Sequence, residues 1–186
     1  MQNRFKINVI GAIGAATIGE NGNEKLSPLW AAVIGKQTKT IDSLFESAVA
    51  NPNENGTFKL AEHIIVISPL HFAAANHSLE ACKLLVANGA KTDQSGYKGI
   101  KPLHIASGNG HMEIVKFFVE EGKADIETAD ADGDTALMYA LVGQKLDIVR
   151  YLNSKGAHND RPNEIGLSPR MLMDTMNLHP TLFNDK

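Results

Sequence analysis

The sequence predicts an all-α solenoid, in which similar helical units stack and each unit packs mainly on its neighbours. Three observations support this: a recurring tetrapeptide, apolar residues at helical spacing after it, and glycines where the helices are expected to end. The tetrapeptide occurs as SPLW at 27–30, SPLH at 68–71, KPLH at 101–104, TALM at 135–138 and SPRM at 168–171. Its starts lie 41, 33, 34 and 33 residues apart. A period in the low thirties is typical of repeat proteins.

Each tetrapeptide is expected to begin the first helix of a unit. Pro28, Pro69 and Pro102 suit the first helical turn, where the missing N–H is not needed and φ is already helical. The serine before Pro28 and before Pro69 can accept hydrogen bonds from free backbone amides. Small residues such as Ala106 and Ala140 allow neighbouring helices to approach closely.

A second helix is expected in each unit after a short turn. Apolar residues recur there at helical spacing, and in the most regular unit they are Ile114, Val115, Phe117 and Phe118. Glycines follow these segments, where a left-handed residue commonly ends a helix: Gly89, Gly122 and Gly156.

The unit at 99–125 shows the pattern most clearly. It contains KPLH, the turn Gly110-His111 between its helices, and an exit through Gly122 to Ala124 and Asp125. In these features the chain resembles the ankyrin repeat family. The resemblance implies an ankyrin-repeat solenoid of helix-turn-helix units joined by β-hairpin-like loops, with about five units and a cap at each end.

The spacing divides the chain into three segments. Residues 1–23 are expected to cap the N-terminal end, because Phe5, Val9 and Ala12 share one helical face. A secretory signal or an unrelated tail is the alternative, since a basic start precedes an apolar stretch. Residues 24–162 hold the repeats, with an insertion near 51–60 that explains the longest interval. Residues 163–186 are expected to be a C-terminal capping repeat and tail.

Composition favours one ordinary globular domain. The chain has 186 residues, 43% hydrophobic and 21% charged, with a net charge of −3. That charge gives no basic footprint for nucleic acid, and no apolar run is long enough to cross a bilayer. Cys82 is the single cysteine, which suits a reducing compartment. We therefore expect a cytoplasmic monomer, with secretion or delivery into a host cell as the alternative.

Motifs that suggest catalysis or ligand binding are incomplete. The glycine-rich stretch at 11–16 has Ile13 where a dinucleotide-binding turn needs its middle glycine. An EF-hand loop starting at Asp130 would need glycine and glutamate where Thr135 and Leu141 stand. His71 and His104 belong to the tetrapeptides, and the resemblance gives them a structural hydrogen-bonding role. We expect no catalytic residues, no metal site and no cofactor.

The resemblance places partner contacts in the hairpin tips before each tetrapeptide and near the end of each first helix. Carried onto this chain, the candidate partner-binding residues are Ile64, Ile65, Ile67, Asn76, Tyr97, Lys98, Ile100, Asn109, Asp132, Asp134 and Val142.

The isoleucine-rich run at 64–67 permits two interpretations. Beside Tyr97 and Ile100 it can form an exposed apolar patch, which often marks an interface. Alternatively, the insertion folds back and covers it with Phe58 and Leu60. The alternation in both segments is also compatible with a lengthened hairpin.

These observations predict a non-catalytic protein–protein interaction module that presents a rigid concave surface. A regulatory or inhibitory subunit that blocks a partner enzyme, including a delivered bacterial effector, is the alternative.

Overall fold

The computed structural model describes residues 27–60 and 63–178, apart from the side chains of residues 59 and 60. In order, the elements are α1 (Pro28–Ile34), α2 (Thr38–Glu46), β1 (Gly56–Leu60), β2 (His63–Ile67), α3 (Pro69–Ala75), α4 (Leu79–Ala87), α5 (Pro102–Asn109), α6 (Met112–Glu120), α7 (Ala136–Val142), α8 (Leu146–Ser154) and α9 (Pro169–Thr175). The predicted cap at 1–23, with its signal alternative, lies outside the described residues.

The helices form two parallel rows. The first helices α1, α3, α5, α7 and α9 contact one another in succession, and the second helices α2, α4, α6 and α8 form the neighbouring row. Each first helix from α1 to α7 also packs on the second helix that follows it. Contacts between successive units are the defining property of a solenoid, so the predicted architecture is confirmed at this level.

The first helices begin as the tetrapeptide predicts. Proline occupies the first turn of α1, α3, α5 and α9. The Ser27 and Ser168 hydroxyls accept hydrogen bonds from the Trp30 and Met171 amides at 3.3 and 3.2 Å. These bonds satisfy amides that have no partner within the helix.

A left-handed residue ends every first helix at the same point, nine residues after the tetrapeptide starts. Only one of the five is glycine: they are Lys36, His77, Gly110, Gln144 and Asn177, with φ between 52° and 88°. Gly122 was predicted to end α6 in this conformation, but Lys123 adopts it instead, with φ 51°. The extra residue in this unit shifts the left-handed position along the chain by one.

The core runs along the interior of both rows. The third tetrapeptide residues Leu29, Leu70, Leu103 and Leu137 are all buried. In the last unit Arg170 takes this place and is exposed, while Met173 is buried. Within the described residues, no helix is both long enough and apolar enough to cross a membrane.

A two-stranded antiparallel hairpin departs from the predicted all-α class. Strand β1 pairs with β2 so that Gly56 faces Ile67 and Phe58 faces Ile65. The insertion therefore supplies the first strand of a long hairpin, and that alternative is confirmed. The hairpin stands directly before α3, where the other units have only a short loop.

Candidate partner-binding surface

One face of β2 is buried and the other is exposed to solvent. Ile65 and Ile67 are each 1% exposed, whereas Ile64 is 65% and Val66 38% exposed. Successive side chains of a strand point to opposite faces. The expectation of one exposed isoleucine patch is therefore wrong for Ile65 and Ile67, and holds for the outer face only.

Aromatic side chains cover the inner face of the hairpin. The Phe58 ring lies 5.1 Å from Trp30 and 6.3 Å from Phe72, measured between ring centroids. Trp30 stands where the usual tetrapeptide has histidine, and it also meets the edge of Phe72 at 5.9 Å. Phe58 of the insertion thus faces the buried Ile65 across the hairpin, as the second interpretation proposed, while the Leu60 side chain lies outside the described part.

Three short loops before α5, α7 and α9 share one geometry, and we call them the fingers (96–100, 130–134 and 163–167). In each, the first amide donates to the last carbonyl, from Gly96 to Ile100 at 2.8 Å and from Asp130 to Asp134 at 3.0 Å. The third finger repeats this bond at 3.0 Å, from Asn163 to Leu167.

Successive fingers are also bonded to one another. The Ala131 amide donates to the Lys98 carbonyl at 3.0 Å, and the Glu164 amide donates to the Asp132 carbonyl at 3.1 Å. These bonds fix the three fingers in a row, so the side chains at their tips are held at set positions before any partner arrives.

Two predicted contact residues in the fingers are buried. Ile100 is 2% exposed, and its carbonyl accepts a hydrogen bond from His71. Asp134 is also 2% exposed, and its carboxylate accepts one from the Asn163 amide nitrogen at 2.7 Å. Both residues stabilise the loops from inside, so the expectation that they are open to a partner is wrong.

Seven predicted contact residues keep accessible surface. Ile64 and Lys98 are exposed, and the other five are half-buried: Asn76, Tyr97, Asn109, Asp132 and Val142. The Lys98 ammonium lies 5.9 Å from the centre of the Tyr97 ring. Their role in binding stays a prediction.

The tetrapeptide histidines tie each unit to the following loop. His71 Nε2 donates to the Ile100 carbonyl at 2.9 Å, and His104 Nε2 donates to the Thr128 carbonyl at 2.8 Å. On the other side of each ring, Nδ1 accepts from the amide of Ser68 or Lys101, both at 3.2 Å. The structural role that the resemblance implied for these rings is confirmed.

Comparison with protein families agrees with this geometry. The model of the family described as ankyrin repeats (3 copies) matches residues 70–163, which is just over half of the chain. The chain belongs to the ankyrin repeat family. The matched part runs from α3 to the third finger, and a search of curated proteins found no match. Ankyrin repeats are generally protein–protein interaction modules and are typically non-catalytic.

The aspartates of this ankyrin protein that suggested a calcium loop shape the second finger. The Asp130 carboxylate accepts from the amides of Asp132 and Asp134 at 2.9 and 3.0 Å and from the Tyr139 hydroxyl at 2.6 Å. Across residues 27–60 and 63–178, no group of three or more histidine, cysteine, aspartate or glutamate residues could hold a metal ion. The carboxylates here organise the loop backbone.

Burial changes the acid–base behaviour of two ankyrin core residues. Cys82 is fully buried, and burial raises the pKa of its thiol, which makes it a poor nucleophile. Burial lowers the pKa of His71 from 6.5 to about 4, with only partial compensation from its bond to the Ile100 carbonyl. The neutral ring is thus part of the folded structure.

We expect this ankyrin protein to lose about 3 kcal/mol of stability through His71 between roughly pH 6.5 and pH 4. Above this window the ring is neutral in both states. Within it, the unfolded chain takes up a proton that the folded chain excludes, so stability falls as pH falls. Urea unfolding across the window measures the effect. His71→Asn should remove most of it, while the exposed His158→Gln should retain it, and equal stability at both ends of the window contradicts the assignment.

Sequence reasoning overlooked residues at the turns between first and second helices. The His77 ring stacks on His111 with centroids 4.5 Å apart and planes 3° apart. Lys36 and Lys145 belong to the same turns of neighbouring units. Counting nine or ten residues from each tetrapeptide start would have aligned all four side chains.

Proposed function

We propose that this chain is a non-catalytic protein–protein interaction module that binds its partner along the fingers and the outer face of the hairpin. The observation that carries the proposal is the bonding between successive fingers through Ala131 and Glu164. A surface fixed in advance loses little conformational entropy when a partner binds.

The composition of this surface supports a protein partner. Ile64 and Val66 offer an apolar contact, while Tyr97 and Lys98 add an aromatic ring and a cation on the next loop. Apolar and aromatic side chains beside polar ones are typical of protein interfaces. With Asp134 buried, the acidic side chains that keep accessible surface on the fingers are Asp132 and Glu164.

An inhibitory or regulatory subunit would use the same surface, and it would differ in blocking the activity of a partner enzyme. Delivery into a host cell, a cytoplasmic location, a monomeric state and a total of about five units stay predictions from the sequence.

Affinity capture from lysate of the source cells tests the proposal with three baits. The first is the wild type, and the second is Ile64→Asp/Lys98→Glu, which changes the outer hairpin face and a finger. The third is Val49→Asp/Lys83→Glu, which makes the same chemical changes at an exposed valine after α2 and an exposed lysine in α4. Mass spectrometry identifies what each bait retains.

A protein retained by the wild type and the third bait but lost from the second supports the proposal. It is then purified and titrated calorimetrically, and its activity is assayed if it is an enzyme. Equal recovery by all three baits places binding elsewhere and contradicts the proposal.

A further inference from the structure

A row of basic side chains crosses the turns between first and second helices. Lys36, His77, His111 and Lys145, which we call the basic ridge, come from four successive units. Each lies nine or ten residues after its tetrapeptide start. The ridge therefore follows the C-terminal ends of the first helices, whereas the fingers precede their N-terminal ends.

Contacts between neighbouring units lie along the ridge, and within it the two histidines contact each other. Lys36 Nζ donates to the Asn76 carbonyl at 2.9 Å, beside His77. The His77 ring then stacks on His111. Next to His111, Gly110 leaves room for the following lysine, because an added Cβ would lie 2.9 Å from Lys145 Cδ.

The ridge has no internal charge compensation. Some basic residues in or next to the second helices form ion pairs, namely Lys83 with Glu80, Arg150 with Asp147 and Lys155 with Glu120. In contrast, none of the four ridge side chains has a carboxylate partner among residues 27–60 and 63–178. The two lysines of the ridge therefore carry positive charge without a carboxylate partner, on a chain whose net charge is −3.

Two of the four ridge side chains already have hydrogen-bond partners at a helix end. Lys36 bonds the Asn76 carbonyl, and His111 Nε2 donates to the Ala75 carbonyl at 3.1 Å, both at the end of α3. Cations commonly satisfy such carbonyls. The ring nitrogens of His77 and the ammonium of Lys145 have no such bond in the described part of the chain, so their positions are open to an outside acceptor.

We propose that the basic ridge binds an extended acidic segment of a protein partner, with carboxylates at Lys36 and Lys145 and on the histidine stack between them. Neighbouring packed helices lie about 8–10 Å apart, so four units span roughly 25–30 Å. At about 3.3 Å per residue, eight or nine extended residues cover that length. The inference rests on the proposed protein-binding function but uses a different surface from the fingers.

An acidic peptide fits the ridge better than a nucleic acid does. Glu80, Glu113 and Asp147 lie in the first turns of the second helices, directly after the ridge. A continuous line of phosphates would meet these carboxylates, whereas a peptide can place its acidic side chains on one face. Affinity for a phosphate backbone also needs many cations, and the ridge has two permanent ones.

Binding is expected to strengthen as the pH falls below about 6.5, because the lowered pKa of His111 keeps the free ring neutral at higher pH. Partial burial lowers the pKa of His111, and His77, Lys145 and Lys36 lower it further. A bound carboxylate would raise the pKa of His111, so the complex takes up protons and acid favours it.

Fluorescence anisotropy with a labelled nine-residue peptide tests the ridge. The probe alternates glutamate and serine, a glutamine–serine peptide is its neutral control, and an oligothymidine of equal length is the nucleic-acid arm. We expect Lys36→Gln/Lys145→Gln to weaken binding at least about tenfold, because both charges are removed. Lys83→Gln/Lys155→Gln removes one charge from α4 and one directly after α8, and should leave binding unchanged. Circular dichroism checks the folding of each variant.

Two further variants separate the contributions. His77→Gln/His111→Gln keeps a donor for the Ala75 carbonyl and should abolish the gain in affinity on acidification. The finger variant Ile64→Asp/Lys98→Glu should bind the acidic peptide normally, so this result is independent of the lysate capture. The inference is overturned by equal losses in the two lysine variants, by absence of peptide binding, or by tighter binding of oligothymidine.

Discussion

Replacing Ile65 with aspartate is expected to lower the free energy of unfolding by more than about 4 kcal/mol, a large part of the roughly 5–15 kcal/mol that stabilises a typical domain. The side chain is 1% exposed on the inner face of β2, where it pairs with Phe58. The substitution removes a large apolar side chain and also buries a carboxylate with no cation to pair with it.

Its neighbour on the same strand provides the matched control. Ile64 is 65% exposed, so Ile64→Asp should change stability by less than about 1 kcal/mol, as surface substitutions usually do. Urea denaturation followed by circular dichroism measures both variants. Similar losses in the two would show that β2 does not alternate as described. The same contrast explains why binding experiments should change Ile64 and leave Ile65 intact.

Replacing Gly143 with alanine is expected to destabilise the protein by about 3 kcal/mol through overpacking. Gly143 ends α7 with an ordinary right-handed conformation, φ −73°. A Cβ added there would lie 2.3 Å from the Gly108 carbonyl oxygen of α5, which is far inside van der Waals contact. Since the obstacle is backbone, α5 and α7 must separate to admit the methyl group.

Gly35 occupies the equivalent position of the first unit and serves as the control. It has nearly the same conformation, φ −74°, and an added Cβ would lie 3.2 Å from the Ala31 carbonyl. That distance is tight but tolerable, so the free energy of unfolding of Gly35→Ala should lie within about 0.5 kcal/mol of the wild-type value or slightly above it. Thermal unfolding measures the stability of both variants. An equal change in stability for the two would argue against the close approach of α5 and α7.

The glycine pattern shows where sequence reasoning succeeded and where it stopped. Gly89 and Gly156 do adopt a left-handed conformation after their helices, as predicted, because that requirement is local. Gly143 is needed for a different reason, the approach of a helix from the preceding unit. The left-handed conformations of Lys36 and Gln144 could not be predicted from the sequence either. Residues other than glycine rarely adopt this conformation by themselves, and here the neighbouring turns hold them in it.

Some features of the candidate site were likewise predicted from the sequence, and others were not. The tetrapeptide predicted the positions of the fingers and of the hydrogen-bonding histidines, while the role of the contact residues stays a prediction. It did not predict that Ile64 is exposed while Ile65 is buried, or that Asp132 keeps accessible surface while Asp134 is buried. Which side of a strand or loop faces the core depends on what packs against it, here Phe58 and Asn163.

The sequence alone determined the repeat, its period, the start of each first helix and membership of the ankyrin family, because these depend on local propensities repeated in register. Only the tertiary structure decided which isoleucines are buried, how the fingers bond to one another and that Lys36, His77, His111 and Lys145 form one row. The bonds between fingers and the basic row arise between units, where residues more than thirty positions apart in the chain meet at fixed distances. The burial of the isoleucines depends on how β2 pairs with β1 and packs on the core. No local pattern specifies such contacts.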